Sequence, residues 1–361
     1  MRDEPLVCIG TYADGEAEGI FVYRQDPDTG ALRFTGQAAR AQNPSYLAPH
    51  PSGRYLYAVN EVGEFAGKPG GGVRAFAFDP ETGGLSLLNQ QASHGAAPCY
   101  IALDRAGRHA VVANYTSGSV AVLPIGEDGH LAPASDVVQH HGSGADPARQ
   151  EGPHAHSIHL DPANRFALAA DLGLDRVFVY RFGAEAGRLA PAGVPWATTR
   201  PGAGPRHFAF HPNGTRVYVI NELDSTMDVF AYDADTGALA HRQTLATLPD
   251  GFAGPNFCAD VHAAPSGQFV YGSNRGHDSI AIFAVDLATG DLAPAGHEPT
   301  QGRNPRNFCV DPTGRFLFAA NQDSDTVVTF RVDADAGGLE PAGHVASVSK
   351  PVCVKVMPRL G

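Results

Sequence analysis

The chain has 361 residues and a formal net charge of −12. That acidic balance argues against nucleic acid and anionic membrane as partners. There is no apolar run of about 18 residues and no signal-peptide-like apolar segment, so a soluble cytoplasmic protein is expected.

In chain order, residues 6–10, 20–23 and 32–35 are short alternating apolar runs, which read as three strands. From Pro44 onward a unit of roughly 50 residues recurs six times. Each copy opens with an apolar strand, turns through an Asp/His-Pro-x-Gly-Arg-like segment and returns in a second strand ending in Asn or Asp. The turn residues are Gly53, Gly107, Asn164, Gly214, Gly267 and Gly314, and seven positions later stand Asn60, Asn114, Asp171, Asn221, Asn274 and Asn321. A second hairpin follows; in the fourth copy Met227 begins an apolar run that ends at an Asp-Ala-Asp-Thr-Gly turn, residues 233–237. Four antiparallel strands per unit at this period indicate a propeller blade, and no stretch sustains a helical period. The 42 glycines and 28 prolines suit the many tight turns. The last segment, residues 351–356, resembles the first strand of every blade and is expected to pair beside the N-terminal strands, closing the ring. The fold class is therefore all-β, a seven-bladed β-propeller. With no linker or composition shift, residues 1–361 are expected to form a single domain.

Cys8, Cys99, Cys258, Cys309 and Cys353 form no CxxC pair and fall in or beside strands, so they read as buried free thiols. The recurring Asn/Asp is scaffold, expected to hydrogen-bond its own turn.

Candidate functional residues are those that differ at equivalent blade positions. Eight residues before and after each turn residue, the chain reaches one face of the disc. The earlier set is Ser45, Cys99, His156, Arg206, Ala259 and Arg306; the later set is Glu61, Tyr115, Leu172, Glu222, Arg275 and Gln322. His156, Arg206, Glu222, Arg275 and Arg306 thus gather in blades three to six, with the other side blander. Longer connections, residues 61–72, 139–152 and 249–257, fall on the same face. Arginines offer paired donors for a carboxylate or phosphate, and His with Glu offers proton transfer near neutral pH.

Arg206 and Glu222 face each other across one hairpin and can form a plain salt bridge. If they pair, the glutamate becomes a weaker base. Arg275 has no evident partner, with Ala259 opposite it. Arg306 faces Gln322. His207, Asp260 and His262 are nearby hydrogen-bonding supports and candidate substrate-binding residues. His154 and His156 share a side of their strand but lack a third ligand by spacing, so no metal is expected. His140 and His141 are expected to be solvated in a loop.

The run Gly-Ala-Gly-Pro-Arg-His at 202–207, with Asn-Glu-Leu at 221–223, closely resembles the bacterial seven-bladed-propeller 6-phosphogluconolactonases. So do Ala-Asp-Val-His at 259–262, Ser-Asn-Arg at 273–275 and Asn-Pro-Arg-Asn-Phe at 304–308, and the likeness runs over essentially the whole chain. The same family includes fungal carboxy-cis,cis-muconate lactonising enzymes. The active-site groups proposed there are one histidine, two arginines and one glutamate, which match His156, Arg206, Glu222 and Arg275 by motif. The resemblance implies hydrolysis of a small anionic lactone, 6-phosphoglucono-1,5-lactone, in the pentose phosphate pathway, with no cofactor. Glu222 or His156 would be the base, and Arg206, Arg275 and the substrate-binding Arg306 would hold the phosphate and the oxyanion. Lacking a Gly-x-Ser-x-Gly nucleophile motif, the chain favours direct water attack. The alternatives are muconate cycloisomerisation and a non-enzymatic protein-binding propeller. Ring closure makes a monomer, or a weak homodimer, plausible.

Overall fold

The computed structural model describes residues 4–15 and 17–358. Seven four-stranded antiparallel sheets stand around a central channel. In the fourth blade the strands are Pro205–Phe210, Arg216–Asn221, Thr226–Tyr232 and Leu239–Ala246, from channel to rim. The seventh blade is composite: Pro351–Val356 pairs antiparallel with Leu6–Thr11, and Glu18–Gln25 and Leu32–Arg40 complete the sheet. The ring closes as the sequence predicts, with the C-terminal segment as the inner strand of the seventh blade. Among the described residues the elements outside the blades are a small hairpin, Glu64–Phe65 with Lys68–Pro69, and two 3₁₀ turns. Among the described residues no helix is long and apolar enough to cross a membrane.

The second strand of each blade is covered on both faces by neighbouring blades. It therefore reads as a continuous apolar run: residues 110–113, 167–170, 217–220 and 317–320 are all fully buried. Outer strands such as Leu292–Pro299 are half exposed and carry polar side chains. The first turn of each blade needs a left-handed residue, and Asn164 (φ 57°) takes the place that glycine holds in the other five.

The recurring Asn bonds its own turn as expected, since Asn114, Asn221 and Asn274 donate Nδ2–H to the hydroxyls of Ser119, Thr226 and Ser279, and it also makes a second, longer-range contact. Asn60, Asn114, Asn274 and Asn321 each donate Nδ2–H to a backbone carbonyl of the incoming inter-blade crossover, those of Gln42, Ser93, Thr247 and Thr300. The residue pins one blade to the chain arriving from the last, because a crossover buried between blades has carbonyls no strand can satisfy. In the third blade Asp171 accepts instead, from the backbone N–H of His154 and Gly173. His140 is correspondingly buried rather than solvated, placed between Asp171 Oδ2 (2.5 Å) and the Tyr180 hydroxyl (2.8 Å). Only His141 of that pair is exposed.

Candidate functional site

A β-bulge interrupts the inner hairpin of most blades at one place. Register shifts fall between Pro98 and Tyr100, Ala155 and Ser157, Pro205 and His207, and Pro305 and Asn307. The skipped residues are Cys99, His156, Arg206 and Arg306. A bulged residue leaves the pleat and re-aims its side chain. These four side chains line the space at one mouth of the channel, so Arg306 has no strand partner and does not face Gln322 as the spacing suggests.

A cavity of 320 Å³ opens at this mouth, lined by Glu61, Cys99, Tyr115, Arg149, His156, Glu222, Phe257, Arg275 and Arg306. A narrower space shares Glu61, Cys99, His156 and Arg306 with it and adds Arg206, His207 and Asn307. His156, Arg206, Glu222, Arg275 and Arg306 are thus brought together. Asp260 and His262 line neither space.

Glu222 is the electrostatic centre. Its Oε2 lies 2.9 Å from Arg206 Nε and 2.8 Å from Arg275 Nη2, and its Oε1 lies 2.6 Å from Arg149 Nη2. Burial alone would raise the Glu222 carboxyl, but Arg275, Arg206 and Arg149 override it and hold it at about 2. Arg275 is therefore not unpaired. Its strand neighbour is Phe257 rather than Ala259, and its carboxylate comes from the preceding blade. Burial, with the like charges of Arg206 and Arg306, brings Arg275 down to about 10 despite Glu222.

Sequence reasoning missed Arg149. It lies in the 139–152 connection, which is fixed by His140 and by Gln150, whose Nε2 donates to Leu172 O and Asp175 Oδ1 (both 2.7 Å). A lone arginine in a long loop on the site face was the available signal. Nor is the opposite side bland. Tyr12 donates its hydroxyl to Glu61 (3.1 Å), and Arg306 stands over the Tyr12 ring, 5.4 Å from its centre. Burial opposes the charge on Arg306, but Tyr12, Glu61 and Glu222 outweigh it and hold the guanidinium firmly protonated.

His156 is buried, with its Nδ1 3.7 Å from Cys99 Sγ and its ring edge-on to Tyr115. Burial and the charges of Arg206, His207 and Arg306 push its pKa well below 6.5, so it is neutral at pH 7. Cys99, like the other four cysteines, is a buried free thiol, and burial pushes its pKa up. His154 stacks on Tyr115 and meets the Tyr115 carbonyl and Glu151. Among the described residues no group of three or more His, Cys, Asp or Glu side chains is placed to hold a metal ion.

The arrangement can bind an anion and stabilise developing negative charge. Arg306 makes no hydrogen bond to any described residue, and Arg275 Nε is buried without a partner. A neutral imidazole beside these donors can accept a proton.

The chain matches the family model described as "Lactonase, 7-bladed beta-propeller" over residues 6–356. It is 36% identical to a 6-phosphogluconolactonase of Bacillus subtilis over 350 residues, 97% of each chain. It is 34% identical to a 6-phosphogluconolactonase of Formosa agariphila, over 84% of this chain and 85% of that one. Among solved structures it is similar to the periplasmic gluconolactonase of Pseudomonas aeruginosa (TM-score 0.92, 37% identity, 98% of this chain and 99% of that one). With its seven closed blades and this near-complete match, the chain belongs to the seven-bladed β-propeller lactonase family.

Proposed function

We propose that the protein hydrolyses 6-phosphoglucono-1,5-lactone to 6-phosphogluconate in the cytoplasm, as a step of the pentose phosphate pathway. The observation that carries this reading is the charge balance of the cavity and of the narrower space that adjoins it. Four arginines, Arg149, Arg206, Arg275 and Arg306, converge on two carboxylates, Glu222 and Glu61. The surplus of about two positive charges suits a phosphate dianion. The names of the relatives point the same way.

Water adds to the lactone carbonyl carbon while His156 takes its proton. Arg206 and Arg275 stabilise the oxyanion that forms. The ring C–O bond then breaks, and the leaving ring oxygen takes the proton back from His156. Glu222, held at about 2 by three guanidinium groups, is a poor proton acceptor. Its role is to hold those groups in place. A neutral His156 is a modest base, and a reactive lactone needs no stronger one.

The test is hydrolysis of freshly generated 6-phosphogluconolactone, read as NADPH through 6-phosphogluconate dehydrogenase, against the spontaneous rate. Acceleration by the wild type that falls about 100-fold or more in His156→Gln supports the reading. No acceleration removes this substrate and leaves unphosphorylated gluconolactone and carboxymuconate to be assayed.

A further inference from the structure

Beneath the cavity the inner strands of blades four to seven are joined by side chains. Asp260, on the fifth blade, is fully buried. Its Oδ1 lies 2.8 Å from His207 Nδ1 on the fourth blade, and its Oδ2 lies 3.1 Å from His262 Nε2 on its own blade. Asn307 Nδ2, on the sixth blade, donates to the same Oδ2, while Asn307 Oδ1 accepts from Val354 N–H on the closing strand. The carboxylate has only lone pairs to offer, so His207 must present Nδ1–H to it. That leaves Nε2 of a neutral His207 bare. Nε2 lies 3.3 Å from Arg206 Nη1, which can only donate. Arg206 Nη1 also donates to Ala259 O, and Nε is spent on Glu222. Three acceptors on one guanidinium therefore fix its plane. The chain Asp260–His207–Arg206 is consistent at every atom in only one tautomer of His207.

We infer that Asp260 is a positioning residue: it holds His207 in the Nδ1–H tautomer, and that tautomer holds Arg206 in the plane from which it stabilises the oxyanion. The inference rests on the preceding reading only in assigning Arg206 to the oxyanion. The opposite tautomer would set Nε2–H against Nη1–H and turn the guanidinium away. Loss of this orienting partner is expected to cost about 10- to 100-fold in activity, the size of one mispaired buried hydrogen bond. Arg206 acts on the transition state more than on the bound lactone, so the loss falls on kcat rather than KM.

Two measurements on the full chain test this. The first needs no change at Asp260. In protein labelled with nitrogen-15 histidine, the His207 ring is assigned by the loss of its signals in His207→Asn. A protonated Nδ1 and a bare Nε2 between pH 6 and 8 are expected. A protonated Nε2 overturns the inference, whatever the enzyme does. The second compares Asp260→Asn with wild type on 6-phosphogluconolactone and on glucono-1,5-lactone. An amide can present N–H to Nδ1 and so permit the wrong tautomer. A fall of about 10- to 100-fold in kcat, with KM changed less than about threefold and the His207 nitrogens exchanged, is expected. Unchanged kcat in a folded Asp260→Asn overturns the positioning role. If Asp260→Asn does not fold, the nitrogen shifts of wild type decide alone. A wild type inactive on both lactones, but with the expected tautomer, rejects the substrate and not the Asp260–His207–Arg206 chain.

Discussion

Arg275 Nη2 sits 2.8 Å from Glu222 Oε2, although the two residues belong to different blades. Glu222 directly follows the second strand of blade four and Arg275 ends that of blade five, so the pair spans the blade boundary at the mouth of the cavity. The same carboxylate holds Arg206 from within its hairpin and Arg149 from a loop before blade three. One acid thus organises three bases, and its removal has opposite effects on stability and on anion binding.

Glu222→Gln should lower the stability of the free protein by about 3 kcal/mol, because three guanidinium groups lose their buried counter-charge. It should also bind 6-phosphogluconate or inorganic phosphate more tightly than wild type. Thermal melts with and without phosphate check this. A larger phosphate-induced rise in Tm for the variant is expected, and an equal or smaller rise contradicts the role given to Glu222.

Arg306→Ala should raise KM for 6-phosphogluconolactone by about 10- to 100-fold, the worth of charge-assisted hydrogen bonds to a phosphate. Its guanidinium carries no hydrogen bond to a described residue and faces the cavity from the side of Tyr12 and Glu61. KM for glucono-1,5-lactone should move far less. Parallel steady-state kinetics on the two lactones measure the difference, and equal shifts would falsify phosphate binding by Arg306.

Arg149→Ala should reduce kcat/KM while leaving Tm within about 2 °C. Its side chain is 35% exposed, and its loop is held by His140 and Gln150 rather than by the arginine. A collapse in Tm would show that the ion pair to Glu222 carries the loop instead.

Stability should fall as pH is lowered from about 6.5, well above the carboxylate range. His156 and His207 are buried, and both are pushed below the ordinary 6.5, His207 to about 3 by burial and Arg206. Below 6.5 the unfolded chain binds protons that these two sites refuse, so the unfolded state gains. Each site removes about 1.4 kcal/mol per pH unit until its folded-state value is reached. Glu222, held at about 2, adds a further loss only below about 4.5. Urea midpoints at pH 8, 6.5, 5.5 and 5 measure the slope. A flat profile from 6.5 to 5 would show that these histidines take up protons in the folded state.

Much of this was legible from the repeat. Blade count, strand order and ring closure follow from apolar alternation and turn chemistry, which are local. His156, Arg206, Glu222 and Arg275 stand out because they break the repeat. Arg206 and Glu222 are also one hairpin apart, so their pairing is readable. Arg149 was not, since 73 residues and a blade boundary separate it from Glu222. The bulges at Cys99, His156, Arg206 and Arg306 were hidden too, because an unpaired residue looks in one dimension like any other strand residue. For the same reason the sequence shows the bond of the recurring Asn to its own turn but not its second bond, to the crossover chain 18 residues before it at Asn60 and 27 before it at Asn274.

The sequence by itself determined a closed seven-bladed ring and which side chains depart from its pattern, because strand period and left-handed turns are properties of neighbouring residues. Only the tertiary structure decided that Glu222 serves three arginines, that Arg306 stands over the ring of Tyr12, whose hydroxyl meets Glu61, and that His207 is held between Asp260 and Arg206. Apart from the Arg206–Glu222 and Arg206–His207 contacts within blade four, these join residues on different blades or loops. Their distances are set by the curvature of the ring and by bulges in its inner strands, to which no short stretch of sequence responds.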